Sequence, residues 1–161
     1  MSCIASRCPT RAEDARNDPD ERRAFLLHGT RTAKVATTRR DGRPHVVPVW
    51  FDLDGDDMLF VTSGASVKGR AIQREGRVAL CVDDERRPYA YVTIEGRARV
   101  TEDHDEVLAW SIRLASRYVG HELAQQYGER NAGPGMLLVR LPPEHIVSEN
   151  NITGEERPGH G

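Results

Sequence analysis

The segment TSGASVKGR, residues 62–70, gathers hydroxyls, two glycines, Lys68 and Arg70 where a β-type run gives way to a helical one. N–H groups left free at a helix N-terminus, flanked by hydroxyls and a cation, suit an anionic oxygen group such as phosphate. The spacing is not that of a Walker loop, and a strand-to-helix connection with solvated charges would use the same residue types. Lysine usage favours the phosphate reading. Of the 23 basic residues only Lys34 and Lys68 are lysines, so one of two ammonium groups stands beside the candidate anion site.

Other chemistry is less well represented. The six histidines (28, 45, 104, 121, 145 and 160) show no HxH, HxxxH or Cys-x-x-Cys companion spacing, so no structural metal is expected. Cys3 and Cys8 lie in a polar leader and Cys81 in the apolar run VALCVD. An odd, scattered set makes no disulfide framework, and a thiol within an apolar β run is usually packing. No paired carboxylates, Ser–His–Asp order or nucleophilic cysteine context demands covalent catalysis.

The elements that must position these residues are short and mostly β. Residues 1–20, rich in Ser, Arg, Asp and Pro, read as a mobile arm, and a helix is predicted over Glu21–Gly29. Thr32–Thr38 and Pro44–Phe51 flank Asp41-Gly42, a hairpin signal because Gly accepts the positive φ of a primed turn. Met58–Thr62 follows a second turn at Asp54-Gly55-Asp56. Ser66–Glu75 reads as a helix closed by Gly76, and Val78–Val82 as a strand. Tyr91–Thr101 alternates apolar and polar residues, with Gly96 marking a bulge or bend. Asp103 opens a helix with Glu106 as capping partner. Its apolar stripe is Val107, Trp110, Leu114 and Tyr118, widened by Leu108, Ile112 and Ala115. After NAGPG at 131–135, Met136–Leu141 forms a last full strand and His145–Ser148 a short extension. The pattern predicts one domain over 21–149, a small, mainly antiparallel β-barrel with flanking helices, and a frayed polar tail over 150–161.

Composition narrows the partners. With 161 residues, 38% apolar and 30% charged, the chain can bury one core and remain soluble. A net charge of −2 and 6% aromatics argue against a nucleic-acid or anionic-membrane binder. No apolar run nears the ~18 residues of a membrane helix, and the leader shows no secretory pattern, so the expected compartment is the cytoplasm. Residues 46–51 (VVPVWF) are apolar on both faces, which calls for a cover: a partner subunit or a flat apolar ligand.

The order ATTRRDGRPHVVPVWF, then MLFVTSGASVKGRAIQREGRVALCVDD, then YVTIEGRARV resembles the flavin- and deazaflavin-dependent split-barrel oxidoreductases. This is the pyridoxamine-phosphate-oxidase-like family, in particular its coenzyme F420 branch, and the resemblance covers roughly residues 25–148. It implies an antiparallel split β-barrel, a homodimer, and a cofactor in the groove between subunits. By position, Val47, Pro48, Val49 and Trp50 would run beside the tricyclic ring, Thr62 and Ser63 would meet the ribityl-phosphate chain, and Lys68, Gly69 and Arg70 the phosphate. Trp110, Tyr118 and Tyr89 are candidates to close the ring's far side, with helix core as the competing role for the first two.

Departures from the pattern matter as well. The phosphate-oxidase enzymes end in a tryptophan- and arginine-containing motif that LPPEHIVSENNITGEERPGHG lacks, so vitamin-phosphate oxidation is not expected. His45 and His121 give no placed axial ligand for haem. The resemblance then implies hydride transfer from reduced F420 to a small conjugated acceptor, with Arg39, Arg40 and Arg43 near the cofactor's acidic tail. An FMN-binding redox protein of the same fold, and a non-catalytic carrier or sensor, stay open as alternatives.

Overall fold

The computed structural model describes residues 18–154. Among them nine strands and four helices follow in the order α1 (Pro19–Leu27), β1 (Ala33–Thr38), β2 (Pro44–Val49), β3 (Asp52–Asp54), β4 (Asp57–Ser63), α2 (Val67–Glu75), β5 (Arg77–Asp84), β6 (Ala90–Arg97), β7 (Arg99–Thr101), α3 (His104–Val119), α4 (His121–Asn131), β8 (Met136–Leu141) and β9 (His145–Glu149). The predicted arm lies outside the described residues except at its end, where Asp18 caps α1 and Pro19 starts it.

Every strand pairing is antiparallel. One sheet runs β2-β1-β5-β6-β9 and the other β3-β4-β8-β7. The chain passes between the sheets four times, at Trp50-Phe51, through α2, at Ala98 and over residues 142–144, and the pairings do not close the two sheets into one ring. The hairpin forms at Asp41-Gly42, but its turn is not the primed one: Gly42, at φ 84°, donates its N–H to the Arg39 carbonyl at 2.9 Å across Arg40 and Asp41, neither of which has a positive φ. Tyr91–Thr101, predicted as a single strand, is split. β6 belongs to the five-stranded sheet and β7 to the four-stranded one, and the switch falls at Ala98, whose N–H donates to the Gly76 carbonyl at 2.7 Å. Gly96 serves another purpose than a bend: a Cβ there would stand 2.4 Å from the Pro142 carbonyl oxygen, so glycine permits the close crossing.

The main core lies between the sheets and includes Val35, Phe51, Met58, Phe60, Ile72, Leu80, Val92, Val139 and Leu141. A smaller cluster (Leu59, Val107, Ala132 and Leu138) fills the other face of β4 and β8, where α3 covers them and Ala132, just after α4, joins it. Those two strands are therefore apolar on both sides, as fully covered strands are. The single helix expected after Asp103 is two, divided at Gly120 with φ 89°. Gly128 sets how closely they pack, since a Cβ there would fall 2.4 Å from Ile112 Cγ1. The tail begins less loosely than its composition implied. The N–H groups of Ile152 and Thr153 donate to the Tyr89 and Pro88 carbonyls.

β2 is an edge strand with no buried residue, and Val46 is 64% exposed. Phe51, grouped with this apolar run in the sequence, is instead fully buried in the main core. The outward apolar face is therefore Val46 and Pro48, with Val47 and Val49 half-buried behind them.

Candidate functional site

The start of α2 is fixed by its own hydroxyls. Ser66 is the N-cap: its Oγ accepts from the Gly69 N–H at 3.0 Å while its hydroxyl donates to the Ser63 carbonyl at 2.7 Å. Thr62 is buried, with Oγ1 3.3 Å from Ser66 Oγ, so it supports this cap. Ser63 Oγ accepts from the Ala65 N–H at 3.2 Å. A Cβ on Gly69 would sit 2.1 Å from the Ser63 carbonyl oxygen. Only glycine lets the first turn of α2 press against the end of β4. The N–H groups of Val67 and Lys68 are left without an intrahelical acceptor, as at any helix start.

Two recesses flank this turn. The first, about 330 Å³, is lined by Pro48, Val49 and Trp50 from the β2 edge, Val61 from β4, Lys68 from α2, Ser111 and Leu114 from α3, Asn131 from α4 and Met136 from β8. It brings together four of the sequence-predicted residues: Pro48, Val49, Trp50 and Lys68. Its polar contributors are an ammonium, a hydroxyl and an amide, with no carboxylate. Lys68 has no ion-pair or hydrogen-bond partner for its ammonium among the described residues, and desolvation holds its pKa below the usual lysine value. The Ser111 hydroxyl is buried and makes no hydrogen bond. A recess that combines apolar side chains with an unpaired cation and an unpaired hydroxyl fits a flat ligand bearing an anionic oxygen group.

The second recess is an open groove of about 1060 Å³ between the β1–β2 hairpin and α2. It is lined by Arg39, Arg40, Asp41, Arg43, Val67, Arg70, Gln73 and Arg74. Five arginines face one aspartate there. Asp41 is bound to Arg43, and Arg74 is held by Glu75 and the Thr38 carbonyl, whereas the side chains of Arg39, Arg40 and Arg70 have no partner among the described residues. Lys68 and Arg70, grouped in the sequence as one grip, thus serve neighbouring recesses on two sides of α2. Val47 lines neither.

The predicted far-side aromatics separate. Tyr118 stacks on Trp50, with centroids 5.0 Å apart and planes 4° from parallel. Its hydroxyl donates to the Arg31 carbonyl at 2.7 Å and accepts from the Phe51 N–H at 3.2 Å, and burial raises its pKa. Tyr118 thereby holds the β2–β3 link and backs the Trp50 wall. Trp110 packs beside the smaller core cluster with the Arg113 guanidinium 4.5 Å from its ring centre. Tyr89 stands at φ 57° on the β5–β6 turn, lining neither recess. His121 Nδ1 is 2.8 Å from Ser116 Oγ, and His45 faces Thr37 across β1 and β2. Among the described residues no group of three or more His, Cys, Asp or Glu could hold a metal ion, and no helix is long and apolar enough to cross a membrane.

Ser111, Leu114, Asn131, Val61 and Met136 escape the sequence reading. For Ser111 a signal existed. It lies four residues after Val107 and three before Leu114, a polar residue on the buried stripe of α3.

The profile of the pyridoxamine 5'-phosphate oxidase family matches residues 19–147. A protein named F420H(2)-dependent biliverdin reductase, from Mycobacterium tuberculosis, is 36% identical over 101 residues, covering 62% of this chain and 71% of that one. A conserved hypothetical protein of Mycobacterium tuberculosis has a similar structure, with a TM-score of 0.75 at 21% identity over 90% of this chain and 92% of that one. A structure described as an F420 reductase gives a TM-score of 0.65 at 26% identity, over 76% of this chain and 94% of that one. The profile match runs from the first helix to the last strand, and the chain belongs to the pyridoxamine 5'-phosphate oxidase family.

Proposed function

We propose that the chain is a coenzyme F420-dependent oxidoreductase of the cytoplasm, acting as a two-fold homodimer on a small conjugated acceptor. One observation carries the reading: a desolvated lysine without a counter-ion shares a recess with the β2 edge and Trp50. The name of the Mycobacterium tuberculosis relative supports the choice of cofactor. So does the arginine surplus of the adjoining groove, which suits a ligand carrying more negative charge than one phosphate.

When bound, the reduced deazaflavin supplies hydride, a two-electron donor suited to polarised C=C or C=N bonds. The chain's own residues bind and orient. Val47, Pro48 and Val49 offer the edge-strand backbone along one side of the ring, and Trp50, backed by Tyr118, gives a rigid apolar wall that excludes water. Lys68 and the first-turn N–H groups of α2 take the phosphate, a charge-assisted contact of the strong kind. Arg39, Arg40, Arg43 and Arg70 take the acidic tail. Val46 and Pro48 face outward from β2, where a second copy of the chain would cover them and complete the groove.

The test is a side-by-side fluorescence titration of purified protein with F420 and FMN, with mass by light scattering at micromolar concentration. Tighter binding of F420 and a dimeric mass are expected. Tighter FMN binding would replace the cofactor assignment with that of a flavin redox protein. F420 binding without turnover on a panel of conjugated acceptors would make the chain a carrier. A monomeric mass would remove the dimer.

A further inference from the structure

Ser111 sits in the middle of α3, where a serine hydroxyl ordinarily returns its proton to a carbonyl three or four residues back. Here it makes neither that bond nor any other, although the residue is only 1% exposed. A buried, unmatched hydroxyl is costly to the free protein, because folding removes its water without replacing it. Ser111 lines the 330 Å³ recess together with Lys68 and Asn131. Three helices thus each contribute one polar side chain to a recess otherwise made of Pro48, Val49, Trp50, Val61, Leu114 and Met136. Gly128 lets α4 press onto α3, and Asn131 at the end of α4 lines the same recess as Ser111.

We infer that Ser111 is a ligand-binding donor of this recess, giving its hydroxyl proton to an oxygen of the molecule that Lys68 helps to hold. The recess then reads a hydrogen-bond-accepting oxygen at a defined place as well as a negative charge. That oxygen belongs either to the phosphate or to the ring and polyol portion of a flavin-type ligand. The inference rests on the proposed function only for the choice of probe.

Thr37 provides an internal control. Its Oγ1 is also buried and unpaired, yet it lines neither recess described above. The experiment compares wild type, Ser111→Ala and Thr37→Val by titration with F420, FMN and riboflavin, and by thermal melts without ligand. Ser111→Ala should weaken binding about three- to thirtyfold, the range of a single ligand hydrogen bond. Its unliganded melting temperature should hold or rise, since alanine favours the helix and the unmatched group is gone. Thr37→Val should leave affinity unchanged. A loss seen with FMN but not riboflavin places the acceptor on the phosphate, and a loss with both places it on the remainder. Unchanged affinity in Ser111→Ala, equal losses in both variants, or a lower unliganded melting temperature for Ser111→Ala would overturn the inference. Binding of FMN without F420 would reject the proposed cofactor while leaving Ser111 to be judged on FMN. Failure of wild type to bind any of the three would reject both.

Discussion

Two cationic regions of this molecule are in opposite states. On α3, Arg117 donates to the carbonyls of Phe51, Leu26 and Gly29 at 2.6, 2.9 and 3.2 Å and lies over the Phe51 and Tyr118 rings. Arg113 pairs with Asp52 at 2.7 Å and donates to the Leu53 carbonyl. Beside α2, by contrast, Lys68, Arg39, Arg40 and Arg70 have no carboxylate or carbonyl of their own among the described residues. Saturated cations hold the β2–β3 link, one of the points where the chain changes sheets. Lys68, Arg39, Arg40 and Arg70 are unsaturated and line the recesses, beside the paired Arg43 and Arg74. The difference separates charge used for architecture from charge left for a ligand, and it gives each region its own signature on mutation.

The largest effect is expected where the charge is saturated. Arg117→Ala strips three carbonyls of a charged donor, which should cost about 2–3 kcal/mol of stability. A denaturant midpoint displaced by that amount, with cofactor affinity restored once the protein is folded, would match the assignment. An unchanged midpoint would place Arg117 with the ligand cations instead.

The second effect is a pH profile. Desolvation lowers the Lys68 pKa, so the ammonium loses its proton at a lower pH than an ordinary lysine. Cofactor affinity should be full below that lowered value and fall up to about tenfold as pH rises through it, while Lys68→Met should be flat. The free protein moves the other way. Between the folded and unfolded pKa values the unfolded chain holds the proton that the folded chain has lost, so stability relative to Lys68→Met climbs with pH. Parallel profiles for the two proteins would remove Lys68 from the site.

A smaller, salt-sensitive change is expected in the groove. Arg39→Ser with Arg40→Ser should weaken F420 binding severalfold at low ionic strength and little at high, because exposed charges are screened within a Debye length of about 10 Å at 0.1 M salt. FMN, lacking the acidic tail, should hardly notice the change. Equal losses for both ligands would assign the groove to something other than the tail.

How much of this was legible depended on how local the signal was. The positive φ of Gly42 in the hairpin, the Ser66 and Gly76 ends of α2 and the Asp103 cap are short-range chemistry, and each stands as the sequence implied, though the hairpin turn is not of the primed type. The missed pieces need distant partners. β3 spans three residues and exists because Asp52–Asp54 pairs with Asp57–Leu59. The division of Tyr91–Thr101 follows from Ala98 meeting Gly76, which no alternation within the strand reveals. The recess was half visible. Its β2 and Lys68 portions carry family-like motifs, whereas Ser111, Asn131 and Met136 arrive only when α3, α4 and β8 fold over β4. Lys68 and Arg70 were joined in one grip because they are two residues apart, a spacing that on a helix turns side chains to different sides.

The proposed function requires Lys68 to be kept unpaired for a cofactor phosphate. Lys34, the other lysine, is already paired with Asp83 and lines neither recess. The decisive measurement is therefore F420 affinity, by fluorescence titration at fixed salt, for wild type, Lys68→Ala and Lys34→Ala. Loss of one charge-assisted hydrogen bond should cost Lys68→Ala about ten- to hundredfold, with Lys68→Arg recovering part and Lys34→Ala unchanged. Equal affinities for Lys68→Ala and wild type, or equal losses in both lysine variants, would contradict the claim and leave residues 62–70 as a strand-to-helix connection.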